Sequence, residues 1–380
     1  MMLCGEGIEL INLCKICNSS SFIDIFSFEK TVFSDGNITD EQLIKEECKT
    51  CGTIRTKLKI NLEEFYQKNY KPSRNTDTIA LLNNESVNRS DFVYQWILDL
   101  VGNQNIIKFE NVLEIGCGQG FLLERFSCKN RYGIEPSEQA SLDAKKVANV
   151  RNIGYEKIED NEKYDFVYSY CVIEHVEDPS SFLDKQYNIL NEGGKMCIAL
   201  PIQDKFNYDL FFADHIHHFS HKNFEKLLNQ SGFSILKYEL GRGSYTNIGM
   251  YICEKVKKNE LSFKYIKNNN LNNIKIILNN IDEILKKYEN ETLYAFGYGE
   301  IAKTILPYTN LDNYIKNYID DFSTDTKVIS SKNAKYIFKN EETINLVLLV
   351  NPAHIKKIKS LFKDFNNINF INIFKDIEVD

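Results

Sequence analysis

Cys14-Lys15-Ile16-Cys17 and Cys48-Lys49-Thr50-Cys51 place two Cys-x-x-Cys turns 30 residues apart. A turn of this spacing points both thiolates at one ion, and two such turns complete a tetrahedral shell of four sulfurs. Four thiolates leave no coordination position for water, so Cys14, Cys17, Cys48 and Cys51 are the expected ligands of a structural Zn2+. Asn18 and Gly52, directly behind the two turns, are residue types that tolerate the backbone a knuckle needs. Cys4, Cys128, Cys197 and Cys253 read instead as small apolar residues.

A second set of residues suits proton chemistry. Six histidines are present, and five fall in two places: His175, then His215, His217, His218 and His221. An imidazole titrates near neutral pH, which fits it for a base. His215 is the first candidate for that role, and His175 is either a substrate-orienting group or the base in its place. The run Asp214-His215-Ile216-His217-His218 could alternatively hold a metal, and His221 is expected to start a helix and face solvent. Tyr66 and Tyr70 lie in a polar stretch that could form a loop or lid.

The elements that must position these groups follow from the hydrophobic pattern. Asn111 to Ile115 is an apolar strand running into Gly116-Cys117-Gly118-Gln119-Gly120, and a helix carrying Phe121, Leu122, Leu123 and Phe126 is expected next. Glycines allow a tight turn and let a ligand lie against the backbone at the strand's carboxyl end. A second strand, Arg131 to Ile134, ends in Glu135, 19 residues beyond Gly116, where a carboxylate can accept hydrogen bonds from both hydroxyls of a ribose. The turn reads Glu-x-Gly-x-Gly-x-Gly from Glu114, without the dinucleotide spacing. A later strand, Phe166 to Tyr170, enters Cys171-Val172-Ile173-Glu174-His175-Val176, and Asn191-Glu192-Gly193-Gly194-Lys195 precedes a strand ending at Pro201. This series resembles the successive motifs of class I methyltransferases over residues 106–255. It makes S-adenosyl-L-methionine the expected cofactor, held by Glu114, Gly116, Gly118, Gly120 and Glu135. In an open α/β sheet, both histidine groups would then face the cofactor crevice.

Taken with the cysteine turns, nearly the whole chain resembles the three-part sugar C-methyltransferase family of deoxysugar pathways. That resemblance implies a zinc-binding segment over 1–60, a helical lid or linker over 61–105, with Phe92, Trp96, Ile97 and Leu100 at helical spacing, and a methyltransferase domain over 106–256. A C-terminal Rossmann-like domain would occupy 257–380, the fold class being α/β throughout. The C-terminal part has an amphipathic helix over 272–288, the glycine turn Leu293 to Gly299, a strand ending at Asp320-Asp321 and another from Leu346 to Val350. In the family this region helps hold a nucleotide sugar. A histidine after the fourth strand and a Tyr-x-Glu-His segment after the fifth line the family's sugar site. His175 matches the first and Phe212-Ala213-Asp214-His215 the second, so Asp214 is a shorter acid and Phe212 lacks the phenol. The resemblance implies C-methylation of a 4-keto sugar through an enolate, with Tyr70, His217 or His218 as candidate donors to its oxygen. The loss of the phenol at Phe212 leaves O- or N-methylation of a sugar or another small molecule as the alternative.

Composition narrows the classes further. With 43 % apolar and 26 % charged residues, the 380-residue chain is of ordinary globular make-up. Its net charge of −7, and the lack of a basic run in residues 1–60, argue against nucleic acid and against a zinc-knuckle RNA methyltransferase. No apolar stretch is long enough to cross a bilayer, and no leader pattern stands at the N-terminus, so no membrane partner and a cytoplasmic location are expected. The oligomeric state is not readable.

Overall fold

The computed structural model describes residues 13–57, 65–66, 77, 79–82, 85–102, 105, 108–243, 245–258 and 262–377. They divide into two compact units. The first comprises Met1–Ser27, Ile44–Asp204 and Asp214–Asn268; the second comprises Phe28–Leu43, Lys205–Ala213 and Asn269–Asp380.

The first unit opens with a four-stranded sheet built on β1 (Phe22–Phe28), β2 (Leu43–Cys48) and β3 (Ile54–Thr56). The two knuckles are near copies of each other. Asn18 donates its N–H to the Cys14 carbonyl and Gly52 to that of Cys48, each at 2.8 Å. Both have left-handed φ, 58° for Asn18 and 79° for Gly52, as the turns demanded. Gly52 is further constrained, because a Cβ there would overlap the carbonyl of Ile266. The sheet's last strand, β9 (His217–His218), comes from far along the chain and pairs antiparallel with β3.

Within the expected helical segment 61–105, α1 (Arg89–Val101) is helical, whereas Ile79–Leu82 and Glu85–Asn88 pair as antiparallel strands. α1 buries Phe92, Trp96 and Ile97 in one cluster with Val112, Phe166 and Tyr168 of the central sheet.

That sheet contains β4 (Asn111–Ile115), β5 (Asn130–Ile134), β6 (Asn149–Arg151), β7 (Tyr164–Tyr170), β8 (Leu190–Pro201), β10 (Phe233–Arg242) and β11 (Tyr245–Lys255). Its order is β6-β5-β4-β7-β8-β11-β10. The first five strands run parallel, and β11 lies antiparallel between β8 and β10. The order reverses between β4 and β7, so the crevice of the switch point opens at the carboxyl ends of those strands. Helices α2 (Glu138–Ala144), α3 (Pro179–Ile189) and α4 (His221–Gln230) intervene between strands. The helix expected after the glycine turn is reduced to a 3-10 turn over Leu123–Arg125. There Arg125 and Phe126 donate their N–H groups to the Leu122 and Leu123 carbonyls, three residues back.

The second unit carries α5 (Asn269–Lys287), β12 (Leu293–Phe296), α6 (Glu300–Ile305), β13 (Ile315–Ile319), β14 (Val328–Ile329), α7 (Ser331–Phe338), β15 (Ile344–Leu348), α8 (Ile355–Leu361) and β16 (Ile368–Asn372). Its five strands, in the order β14-β13-β12-β15-β16, are all parallel, a doubly wound Rossmann-like sheet. Phe212 belongs to this unit, buried against Tyr208 with its segment bridged to Val32.

Gly52→Ala is expected to destabilise the protein by more than about 1 kcal/mol, since alanine there is both strained and blocked. Denaturant midpoints of the two proteins check this, and an unchanged midpoint would contradict the tight packing of the second knuckle.

Candidate active site

At the knuckles, Cys14 and Cys51 sulfurs lie 3.7 Å apart and those of Cys17 and Cys48 3.5 Å apart, with all four within 4.8 Å of one another. Tetrahedral zinc with Zn–S near 2.3 Å would set sulfurs about 3.8 Å apart. The set therefore fits the ion with little movement and is far too wide for disulfides. Without a cation, the sulfurs share protons unevenly. Hydrogen bonds from Cys14 and Cys51 hold the Cys48 thiol low, while its partner Cys14 is pushed up to about 12, chiefly by the bond to Cys48.

At the crevice, Gly116, Gly118 and Gly120 all adopt positive φ, between 52° and 84°. A Cβ on Gly116 would stand 2.6 Å from Val172, and one on Gly120 2.9 Å from Val147. At Gly118 a Cβ would meet no atom within 4 Å, so open space lies over the middle of the turn. Glu135 is almost fully buried at the end of β5. Its carboxylate accepts N–H bonds from Gly118 and Ser137, both at 2.8 Å, and keeps acceptor capacity for ribose hydroxyls. Glu114 is buried beneath the turn and accepts from the Tyr168 hydroxyl at 3.0 Å. Burial pushes Glu114 up to about 8, against the lowering influence of Tyr168 and Arg89, and burial likewise raises Glu135.

The histidines separate into distinct environments. His175, just past β7, has its Nδ1 2.7 Å from the Tyr66 hydroxyl, 2.9 Å from the Asp214 carbonyl and 3.5 Å from Asp214 Oδ2. Facing acceptor oxygens of Asp214, Nδ1 carries the proton and Nε2 is left with its lone pair. Tyr66 also donates to Asp214 Oδ2 at 3.1 Å. The His215 ring stands edge-on to His175, centroids 4.5 Å apart. The candidates His175, His215 and Asp214 are thus neighbours, and Tyr66 joins them. The other two candidates are turned to structural work. His217 donates from Nε2 to the Glu177 carbonyl at 3.2 Å, and burial lowers it to about 4. His218 Nε2 accepts from the Lys45 ammonium at 2.8 Å. Tyr70 lies outside the described residues. His221 does begin α4, but it is half-buried, stacked on Tyr238 at 4.0 Å rather than solvated.

Donor atoms of Glu174, His175 and His215 also lie within 4.8 Å of one another. One carboxylate and two imidazoles could hold a divalent cation, which shifts the sequence-level metal alternative from Asp214 to Glu174.

Residues 66–238 match the family model for a methyltransferase domain. These residues are a class I methyltransferase domain. Over shorter stretches, the chain is similar to the ubiquinone biosynthesis O-methyltransferase of Rhodopseudomonas palustris, 36 % identical over 97 residues, covering 23 % of this chain and 38 % of that protein. It is also similar to the tRNA U34 carboxymethyltransferase of Actinobacillus succinogenes, 27 % identical over 128 residues, covering 30 % and 39 %. The chain thus spans well under half the length of these relatives. A solved S-adenosylmethionine-dependent methyltransferase from Clostridium acetobutylicum aligns over 44 % of this chain and 91 % of its own, at 16 % identity and TM-score 0.35.

The sequence reading named Tyr66 only as part of a loop or lid and did not single out Arg89. Tyr66 had no spacing to mark it as a partner of His175. Arg89 opens α1 with its guanidinium 4.6 Å over the Tyr170 ring, close enough to Glu114 to lower that carboxyl. A guanidinium there is suited to a carboxylate such as that of a methionyl group. Nothing local in Asn-Arg-Ser distinguishes it from an ordinary polar helix start.

Both buried acids bind a proton in the folded chain at pH values where the unfolded chain has released it. Their contribution therefore favours folding at low pH and fades as pH rises from about 4.5 to about 8 through Glu114. Glu114→Gln should flatten that decline by at most about 1.4 kcal/mol per pH unit. Urea midpoints without cofactor between about pH 5 and 8 test this, and parallel profiles for both proteins would refute it.

Proposed function

We propose that the chain is an S-adenosylmethionine-dependent methyltransferase acting on a nucleotide-linked sugar, with C-methylation beside a ketone as its reaction. The observation that carries this reading is the convergence of His175, His215, Asp214 and Tyr66 at the crevice of the methyltransferase domain. The resemblance to sugar C-methyltransferases supports the substrate class, and the acidic net charge favours a small molecule over nucleic acid.

Bound adenosylmethionine supplies an electrophilic methyl group. The protein's part is to align it with a nucleophile and to manage one proton. His215 takes the proton beside the ketone. His175, its Nδ1–H anchored on Asp214, offers Nε2 as an acceptor that orients a substrate hydroxyl. Tyr66 supplies a phenol whose one proton turns from Asp214 Oδ2 to the enolate oxygen, making good what Phe212 lacks. O- or N-methylation is the second reading, favoured by Phe212 itself, with the same imidazoles taking the proton from a hydroxyl or amine.

Proton NMR on products formed from a panel of keto and hydroxyl nucleotide sugars in deuterated water discriminates between these. A methyl on carbon with deuterium entering beside the ketone is expected, and His215→Ala should slow that exchange by about 100-fold or more while adenosylmethionine still binds. A methyl on oxygen or nitrogen without exchange would replace the enolate route, and activity lost on removing a divalent cation other than zinc would assign Glu174, His175 and His215 to a metal.

The four thiolates are proposed to hold one structural zinc. Metal analysis should find about one zinc per chain, and Cys48→Ser should lose it together with a large fall in melting temperature. Zinc-free protein with unchanged stability would end this assignment.

A further inference from the structure

Lys45 lies on β2 directly opposite Thr56 of β3 and is wholly buried. Its ammonium donates to Thr56 Oγ1 at 2.5 Å, to the His215 carbonyl at 3.2 Å and to His218 Nε2 at 2.8 Å. Thr56 completes the link, donating its hydroxyl to the same His215 carbonyl at 2.8 Å and its N–H to the Ile216 carbonyl at 2.8 Å. Taking an ammonium out of water costs several kcal/mol, and an apolar side chain of similar volume often holds such a position at least as well. A lysine here therefore does something that packing alone does not. All three of these bonds end on, or lead to, the histidine segment.

We propose that Lys45 is a positioning residue for His215. Two consequences follow from its geometry. Because the ammonium donates to His218 Nε2, His218 is neutral with its proton on Nδ1. Because the ammonium and Thr56 both grip the His215 carbonyl, the backbone that carries the His215 ring is fixed from the zinc-knuckle hairpin. The ring's edge-on station beside His175 is then set through a grip on the His215 backbone.

The kinetic arm of the test rests on the methyltransferase reading, whereas the spectroscopic arm needs no acceptor substrate. Lys45→Met would be compared with wild type as full-length, zinc-loaded protein saturated with S-adenosylhomocysteine. Long-range proton–nitrogen NMR should show His218 as the Nδ1–H tautomer in wild type. In the variant, that signature should be lost and the His215 ring resonances should move. Adenosylmethionine affinity by calorimetry should change by no more than about twofold, because Lys45 is bonded to the histidine segment and not to the glycine turn. On whichever nucleotide sugar is turned over, kcat should fall about 10- to 100-fold with KM little changed. A folded, zinc-loaded variant whose His215 signals and kcat match wild type would overturn the proposal. Should Lys45→Met fail to fold, Thr56→Val leaves the ammonium in place and cuts the relay. It should move the His215 signals in the same direction but less, and no movement there would overturn the proposal equally.

Discussion

Four thiolates crowded within a few ångströms are tolerable only when a cation relieves the repulsion among them. In this protein that constraint sits at the turn of a hairpin. The turn Cys48–Cys51 joins β2 to β3, and β3 in turn pairs with His217–His218. The cysteine cluster, the hairpin and the histidine segment are therefore one mechanical object. Asp214 and His215 stand just ahead of the last strand of that small sheet, and they meet His175 because the large sheet delivers it from the other side at the end of β7.

The central sheet imposes a complementary logic. Its crossover point leaves an open crevice, and the residues around it are acids that burial keeps reluctant to ionise. Glu114 is held between the Tyr168 hydroxyl and the charge of Arg89, and Glu135 between two backbone amides. Both arrangements place negative charge where it is expensive unless a positive or hydrogen-donating group arrives.

Much of this was legible from residue types and spacing. The cysteine turns were, down to the left-handed positions of Asn18 and Gly52, because a metal knuckle is a local structure. The glycine turn and the strands around it were, because their signal is also local. What local pattern could not supply was pairing across the chain. The histidine segment 215–218 looks like one cluster in sequence, yet His215 ends beside His175, His217 bonds the Glu177 carbonyl and His218 takes the Lys45 ammonium. Tyr66 and Lys45 carry no motif and acquire meaning only from what lies across from them, 109 and 173 positions away. The helix expected after Gly120 is reduced to a single 3-10 turn although its apolar residues have helical spacing.

Glu135 has a counterpart in the second unit. There Asp320, at the end of β13, accepts the Tyr298 N–H of the glycine turn at 3.1 Å and the Phe322 N–H at 2.9 Å. In each unit the strand-end acid grips the turn beside it and the amide two residues onward. Such a clasp is self-supporting, for the turn is drawn into shape by the protein's own carboxylate before any guest arrives. The conformational entropy of ordering the loop is spent during folding, so a molecule settling over Gly118 meets a finished surface and keeps more of its contact energy as affinity. The same clasp lets the Gly297–Gly299 turn hold its form with nothing bound at all, as a scaffold whose shape outlasts any use made of it.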